Sequence, residues 1–133
     1  MCEILIQQFI ELGQGYGDVF ELCELVKTNE KRFHNAFIFI SNIGDKQVAS
    51  IAVTFKAAGE GKFMPIYICR EGIPYNPEKP SQRLTIFENA LQEIGKKAIP
   101  MEVKHSSFYS ETTLYYQHLI GILRMNHFIP PKQ

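Results

Sequence analysis

Residues able to do chemistry gather in a few places along this 133-residue sequence. The stretch "ELGQGYGDVFELCEL", Glu11 to Leu25, sets glycines at 13, 15 and 17 between a strand-like run and a helix-like one. Strand, glycine loop and helix N-terminus together make a ready anion cradle. The spacing argues against one here. A dinucleotide fingerprint is G-x-G-x-x-G, whose third glycine lets helix and strand pack closely; Gly13-x-Gly15-x-Gly17 is one residue short. A P-loop ends in G-K-S/T so that lysine and hydroxyl reach phosphate and magnesium; this loop ends in Gly17-Asp18-Val19. Asp18 falls where an N-cap is expected, with Glu21 at capping-box spacing. Those carboxylates would occupy the positive helix end and repel a phosphate. A self-capped helix is expected, with a nucleotide only as a minor alternative.

A second place is "YICREGIPYNP", where Arg70 and Glu71 end a strand and open the longest loop, with Tyr67 and Tyr75 nearby. Loops at strand ends collect ligand contacts, and an arginine can clamp a carboxylate or phosphate through two hydrogen bonds. Tyr67, Arg70, Glu71 and Tyr75 are therefore the candidate ligand-binding residues. The structural alternative is that Arg70 and Glu71 form pairs that order the loop.

Third, His105 is followed by Ser106, Ser107 and Ser110, a set that suggests a hydrolase. No G-x-S-x-G elbow accompanies it, and serines before a helix usually cap it; Ser107 or Ser110 is expected to cap the last helix. The four histidines, His34, His105, His118 and His127, have no H-x-x-x-H or H-E-x-x-H spacing. Cys2, Cys23 and Cys69 form no C-x-x-C pair, so no metal site, cofactor or disulfide framework is expected. Cys23 and Cys69 sit in apolar runs and read as small core residues.

The elements that must hold these residues follow from periodicity. Residues 2–12 alternate as a strand, with Ile4, Ile6 and Ile10 on one side and Leu5 and Phe9 on the other. Val19, Leu22, Cys23 and Val26 make one helical stripe over about 19–27. "FHNAFIFISN" and "VASIAVTFKA" form a hairpin around "IGDK", with Ala49, Ile51, Val53 and Phe55 inward and Ser50, Thr54 and Lys56 outward. "FMPIYICR" is a strand whose Pro65 lacks an N–H and predicts an edge position or a bulge. A helix over about 82–94 buries Leu84, Phe87, Leu91 and Ile94, and stops at Gly95. "IPMEVKH" is a strand, and a last helix spans about 111–125. The order β-α-β-β-β-α-β-α predicts a single α+β domain over 1–133: a mixed, mostly antiparallel sheet of about five strands with three helices.

That last helix is apolar nearly all round, with Leu114, Tyr115, Tyr116, Leu119, Ile120, Ile122, Leu123 and Met125. Such a helix is covered on several sides. In a small domain the extra cover is expected to be a second copy, a homodimer with Tyr115, Leu119, Gly121, Ile122 and Met125 at the interface; the "FIPP" tail folding back is the alternative. Overall charge gives no support to nucleic acid as a partner, although a local basic patch stays open. Lys plus Arg equals Asp plus Glu at 14 each, without the basic excess that gripping nucleic acid favours. "MCEILIQQFIEL" lacks a positive n-region and is interrupted by Glu and Gln, so neither a signal peptide nor a membrane span is expected, and the location is read as cytoplasmic.

From the first helix on, the predicted order α-β-β-β-α-β is also that of PD-(D/E)xK nuclease-type domains. Those place carboxylates and a lysine on adjacent strands to hold a metal beside an activated water. Here Glu60-x-Lys62 falls in a turn, Asp45 in another, and the matching strands have no internal acidic residue, so the usual metal site is read as lost. "PIYICREGIP", "YYQHLIGILRMNHFIPP" and "QFIELGQGYGD" resemble a family of short uncharacterised proteins from Bacillus-type bacteria over nearly the whole chain. The resemblance implies a cytosolic stand-alone domain and transfers no catalytic residue. Some relatives bear a methylthioribose kinase label. It is rejected here, because the chain has no V-A-I-K lysine, H-x-D loop or D-F-G. A non-catalytic binding or assembly domain that self-associates is therefore expected first. The alternative is a small-molecule binder or enzyme using the loop after Arg70, its phosphate or carboxylate ligand unidentified. A degenerate nuclease-like domain is the weaker alternative.

Overall fold

The computed structural model describes residues 6–13, 15–55, 63–76, 78–79 and 81–126, without the side chains of residues 6–8, 63–65 and 70. The expected elements appear in the expected order: β1 (Ile6–Leu12), α1 (Tyr16–Thr28), β2 (Phe33–Ile43), β3 (Lys46–Phe55), β4 (Phe63–Pro74), α2 (Gln82–Glu93), β5 (Ala98–Glu102) and α3 (Thr112–Met125). The strands form one mixed sheet in the order β1-β4-β3-β2-β5. Antiparallel junctions β2/β3 and β3/β4 make its centre, and parallel junctions β1/β4 and β2/β5 its margins.

Helices cover both faces of this sheet. Val19, Leu22, Cys23 and Val26 of α1 and Leu84, Phe87, Ala90 and Leu91 of α2 pack with Ile38, Ile51, Val53 and Cys69 on one face. Tyr115, Leu119 and Leu123 of α3 pack with Phe37, Phe39, Ala52, Ile66 and Ile68 on the other. Two covered faces explain why the alternation of β3 misled. Ser50 and Thr54, expected outward, are buried, because β3 is the central strand with helices above and below. Thr54 meets its polar needs locally: Asn35 N–H donates to its Oγ1 at 3.1 Å, and the hydroxyl donates to Asn35 C=O at 3.3 Å. The pair fills the register shift between Phe33 and Asn35.

The hairpin turn falls at Gly44-Asp45, as expected. Pro65 does not mark an edge strand, since β4 lies between β1 and β3. It sits opposite Gln8 in the β1 register, one residue beyond the described pairing with β3, so β3 asks no N–H of it there. The "FIPP" tail, His127, Ile4, Leu5, Cys2, Lys56, Glu60 and Lys62 lie outside the described residues.

Helix ends follow local chemistry. Ser81 caps α2 by accepting the Leu84 N–H at 3.2 Å. Gly95, at φ 72°, stops the same helix, with Gly95 N–H donating to Gln92 C=O and Lys96 N–H to Leu91 C=O, the paired bonds of a Schellman end. Helix α1 begins three residues earlier than the Asp18 cap predicted. Its N-cap is Gly15, and Asp18 is the third helical residue, whose carboxylate accepts the Gly15 N–H at 3.1 Å. Asp18 suits either end of a capping box, so its position alone did not fix the boundary. For α3 neither Ser107 nor Ser110 is the cap; that position is Glu111, which makes no side-chain capping bond.

Candidate functional site

The site is built around an irregularity in β4. Between the pairs Ile51–Cys69 and Ala49–Ile73 the register shifts, so that Arg70, Glu71 and Gly72 stand opposite Ser50 alone. Gly72 has φ 132°, a conformation that residues with a Cβ rarely adopt. Simple alternation would put Glu71 on the same face as Cys69 and Ile73, under α1 and α2. The bulge turns it to the opposite face, beneath α3, which is what bulges beside functional sites do.

There the Glu71 carboxylate accepts hydrogen bonds from three residues and faces the ring of a fourth. Oε2 accepts from Ser41 Oγ at 3.2 Å and Tyr115 OH at 3.3 Å. Oε1 accepts from Ser106 N–H at 3.1 Å and from the Ser106 hydroxyl, and faces His105 Nε2 at 3.1 Å. The side chains of Glu71 and His105 are only 8% and 13% exposed. A carboxylate removed from water is tolerated only with this many donors. Burial, then the Glu71 charge, pushes the Tyr115 phenol well above its ordinary value, so it stays protonated as a donor. The fully buried Ser50 hydroxyl stands beside it.

A cavity of about 350 Å³ opens next to this cluster, lined by Glu11, Glu71, Ser106, Thr112, Tyr115 and Tyr116. Tyr116 OH donates to Glu11 Oε2 at 2.9 Å, and its ring stacks on Phe9 with centroids 4.7 Å apart. On the far side of His105, Nδ1 accepts the Ser107 N–H at 3.0 Å and lies 2.9 Å from Ser107 Oγ.

The four residues expected to share a ligand are not brought together. Glu71 faces α3, whereas Tyr67 and Tyr75 pack with the α1/α2 cluster across the sheet, Tyr67 edge-on to Phe55. Arg70 holds its place on β4, but its side chain lies outside the described parts. Among the residues expected at a dimer interface, Tyr115 and Leu119 are buried against the chain's own sheet, Gly121 and Ile122 are half-buried, and Met125 is 80% exposed. Sequence reasoning missed Ser41 and the meeting of Ser106 with Glu71. The partners of Glu71 lie 30 to 44 residues away in the chain, and no local pattern announces them.

Other groups are quiet. Burial pushes the Cys69 thiol up to about 12, with the Asp18 carboxylate adding to it, and burial raises the Cys23 thiol as well, so neither is a ready nucleophile. Gly13 packs so closely on the Asp18 carboxylate that an added Cβ would collide with it. The loop that resembled a phosphate cradle thus encloses a carboxylate of its own. Among the described residues no group of three or more His, Cys, Asp or Glu side chains is placed to hold a metal ion, and no helix is long and apolar enough to cross a membrane.

Residues 5–129 match a family described as a domain of unknown function (DUF7147), and the chain belongs to that family. Neither the curated proteins nor the solved structures contain a significant match to it.

Proposed function

We propose that this protein is a binding and assembly domain that self-associates through the outer face of α3. One observation carries the proposal: that face keeps apolar groups in water after the chain has satisfied its own core. Tyr115, Leu119 and Leu123 point inward and are buried, while Leu114 is 42% and Met125 80% exposed on the other side. Helical spacing sets Leu114, Gly121 and Met125 in one outward stripe bordered by Ile122. An atom added at Gly121 meets nothing within 4 Å, so the stripe has room for a close neighbour. The saturated Glu71 cluster supports the same role. It fixes α3 against β2 and β4, holding the outer stripe on a rigid support. The homodimer so formed belongs to the cytoplasm in this proposal. Light scattering on the purified chain tests it: a dimer is expected at high micromolar concentration, shifted to monomer by Met125→Glu. A monomer at every concentration contradicts it.

The cavity beside Glu71 favours a second reading, a small-molecule binder in which Thr112, Tyr115 and Tyr116 contact the ligand. A panel of nucleotides, sugar phosphates and carboxylates read by melting temperature tests this one, and no shift from any of them counts against it. The weaker nuclease-like reading draws on the order α1-β2-β3-β4-α2-β5 alone. Gel shifts at low salt without retardation of DNA or RNA remove it.

A further inference from the structure

The sheet ends in two edge strands that are finished differently. At β5, Val103 N–H donates to Ile40 C=O at 2.8 Å. Backbone groups alternate sides along a strand, so Ile99 and Met101 also turn toward β2, while Ala98, Pro100 and Glu102 turn outward. Pro100 thus removes an N–H from the middle of the outer edge, and Glu102 adds a charge to it. A proline and a charge on a short edge strand are common protection against pairing with another chain.

The edge at β1 has no such protection. Tyr75 N–H donates to Gln47 C=O at 3.1 Å. Gln47, Ala49 and Ile51 therefore turn their backbone groups toward β4, and Cys69, opposite Ile51, turns its own toward β3. Ile66 and Ile68 then turn toward β1, and Pro65, which has no N–H to give, turns away from it. In a parallel ladder a residue bonds to the two neighbours of the one it faces. Ile66 faces Phe9, so Gln8 and Ile10 serve β4, and Gln7, Phe9 and Glu11 turn their N–H and C=O to the outer edge. Seven residues with no proline and no lysine form that edge, and among the described residues no strand lies beyond it. Phe9 and Ile10 stay half-buried on its two faces.

We propose that the outer edge of β1 pairs antiparallel with β1 of a second copy, joining two sheets into one. The occupant follows from the pattern. Two identical edges related by a two-fold axis run antiparallel. With the axis at Phe9, the outward residues meet in register: Phe9 opposite Phe9, and Gln7 opposite Glu11 of the second copy, each an exchanging pair of an antiparallel ladder. No like charges are set opposite each other, and no lysine resists the approach. The Phe9 rings, each stacked on Tyr116 on the α3 face, come together and shed water. Seven residues make a small interface, so pairing is weak, with a Kd on the order of 1 mM. This surface is separate from the outer stripe of α3, and pairing here does not depend on that stripe.

Amide NMR spectra of full-length Met125→Glu, recorded from low micromolar concentration to about 1 mM, test the pairing without the α3 contact. The Gln7 and Phe9 amide signals are expected to move with concentration along one binding curve, while those of Ala98 and Glu102 stay fixed. Added to that chain, Gln7→Pro repeats in β1 what Pro100 does in β5. The N–H it removes faces outward, so the melting temperature is expected to hold and pairing to weaken at least about tenfold. Gln7→Lys, which leaves the backbone whole, is expected to weaken pairing as well. Gln7 and Phe9 signals that do not move up to about 1 mM overturn the proposal. A folded Gln7→Pro chain that pairs as well as its parent does so too. Gln7 and Phe9 amides shielded from exchange in the dilute chain as strongly as Gln8 and Ile10 would show that the chain covers its own edge, and this also overturns it. Failure of wild type to dimerise through α3 is read separately, in the micromolar range, and changes none of these results.

Discussion

Glu71 is the residue on which most of the polar chemistry converges, and its replacement is the most informative single change. In Glu71→Gln an amide replaces a carboxylate that now accepts from Ser41, Ser106 and Tyr115 and pairs with His105. Several buried donors lose a charged acceptor at once, a loss of about 3 kcal/mol. Urea unfolding measures it, and a loss below about 1 kcal/mol would mean that the cluster is dispensable to stability. His118 makes a second prediction at this scale. Its Nε2 is buried with no hydrogen-bond partner among the described residues, its ring packs on Tyr109, and burial, then Lys104, lowers its pKa. The folded chain thus resists a proton that the unfolded chain accepts near pH ~6.5. The unfolded state binds more protons below that value, so stability falls as pH drops from there through the lowered folded value. Urea midpoints measured on both sides of the window are expected to separate less in His118→Leu than in wild type. Sequence alone reached Glu71 because it ends a strand before a long loop. It could not reach Ser41 or Tyr115 as partners, since only the sheet order brings them together.

At the scale of elements, one bulge decides where Glu71 points. Gly72 holds φ 132°, where a side chain is strained by about 1–3 kcal/mol. Gly72→Ala is expected to destabilise the chain by that order and to release Glu71 from Tyr115, read as increased amide exchange at Ser106. Unchanged stability and exchange would show that the bulge tolerates a Cβ. Gly95→Ala, at φ 72°, is expected to cost about 1 kcal/mol at the end of α2, with no change at the Glu71 cluster. The periodic elements were legible: the stripe of α1, the buried row of α2, the two-residue hairpin and the stop at Gly95 all follow from spacing. What escaped was set by neighbours. The alternation of β3 suggested one covered face, yet a central strand buries Ser50 and Thr54 as well. The residues Arg70-Glu71-Gly72 look like the end of an ordinary strand, and only the pairing with β3 reveals three residues opposite one.

In the molecule as a whole, α1 and α2 pack on one face of the sheet and α3 on the other. The two-helix side is tied together by the Lys27–Glu93 ion pair at 2.9 Å and by Tyr16, which donates to Gln82 and lies under the Arg83 guanidinium at 5.6 Å. Leu114 and Met125 stand in water on the outer side of α3, and the self-association proposed above is the arrangement that covers them. The most direct test of that claim is sedimentation equilibrium on wild type and Met125→Glu across the micromolar range. A concentration-dependent dimer in wild type, weakened at least about tenfold by the charge (about 1.4 kcal/mol), is the predicted result. A wild-type monomer at every concentration, or a dimer that Met125→Glu leaves intact, would contradict it.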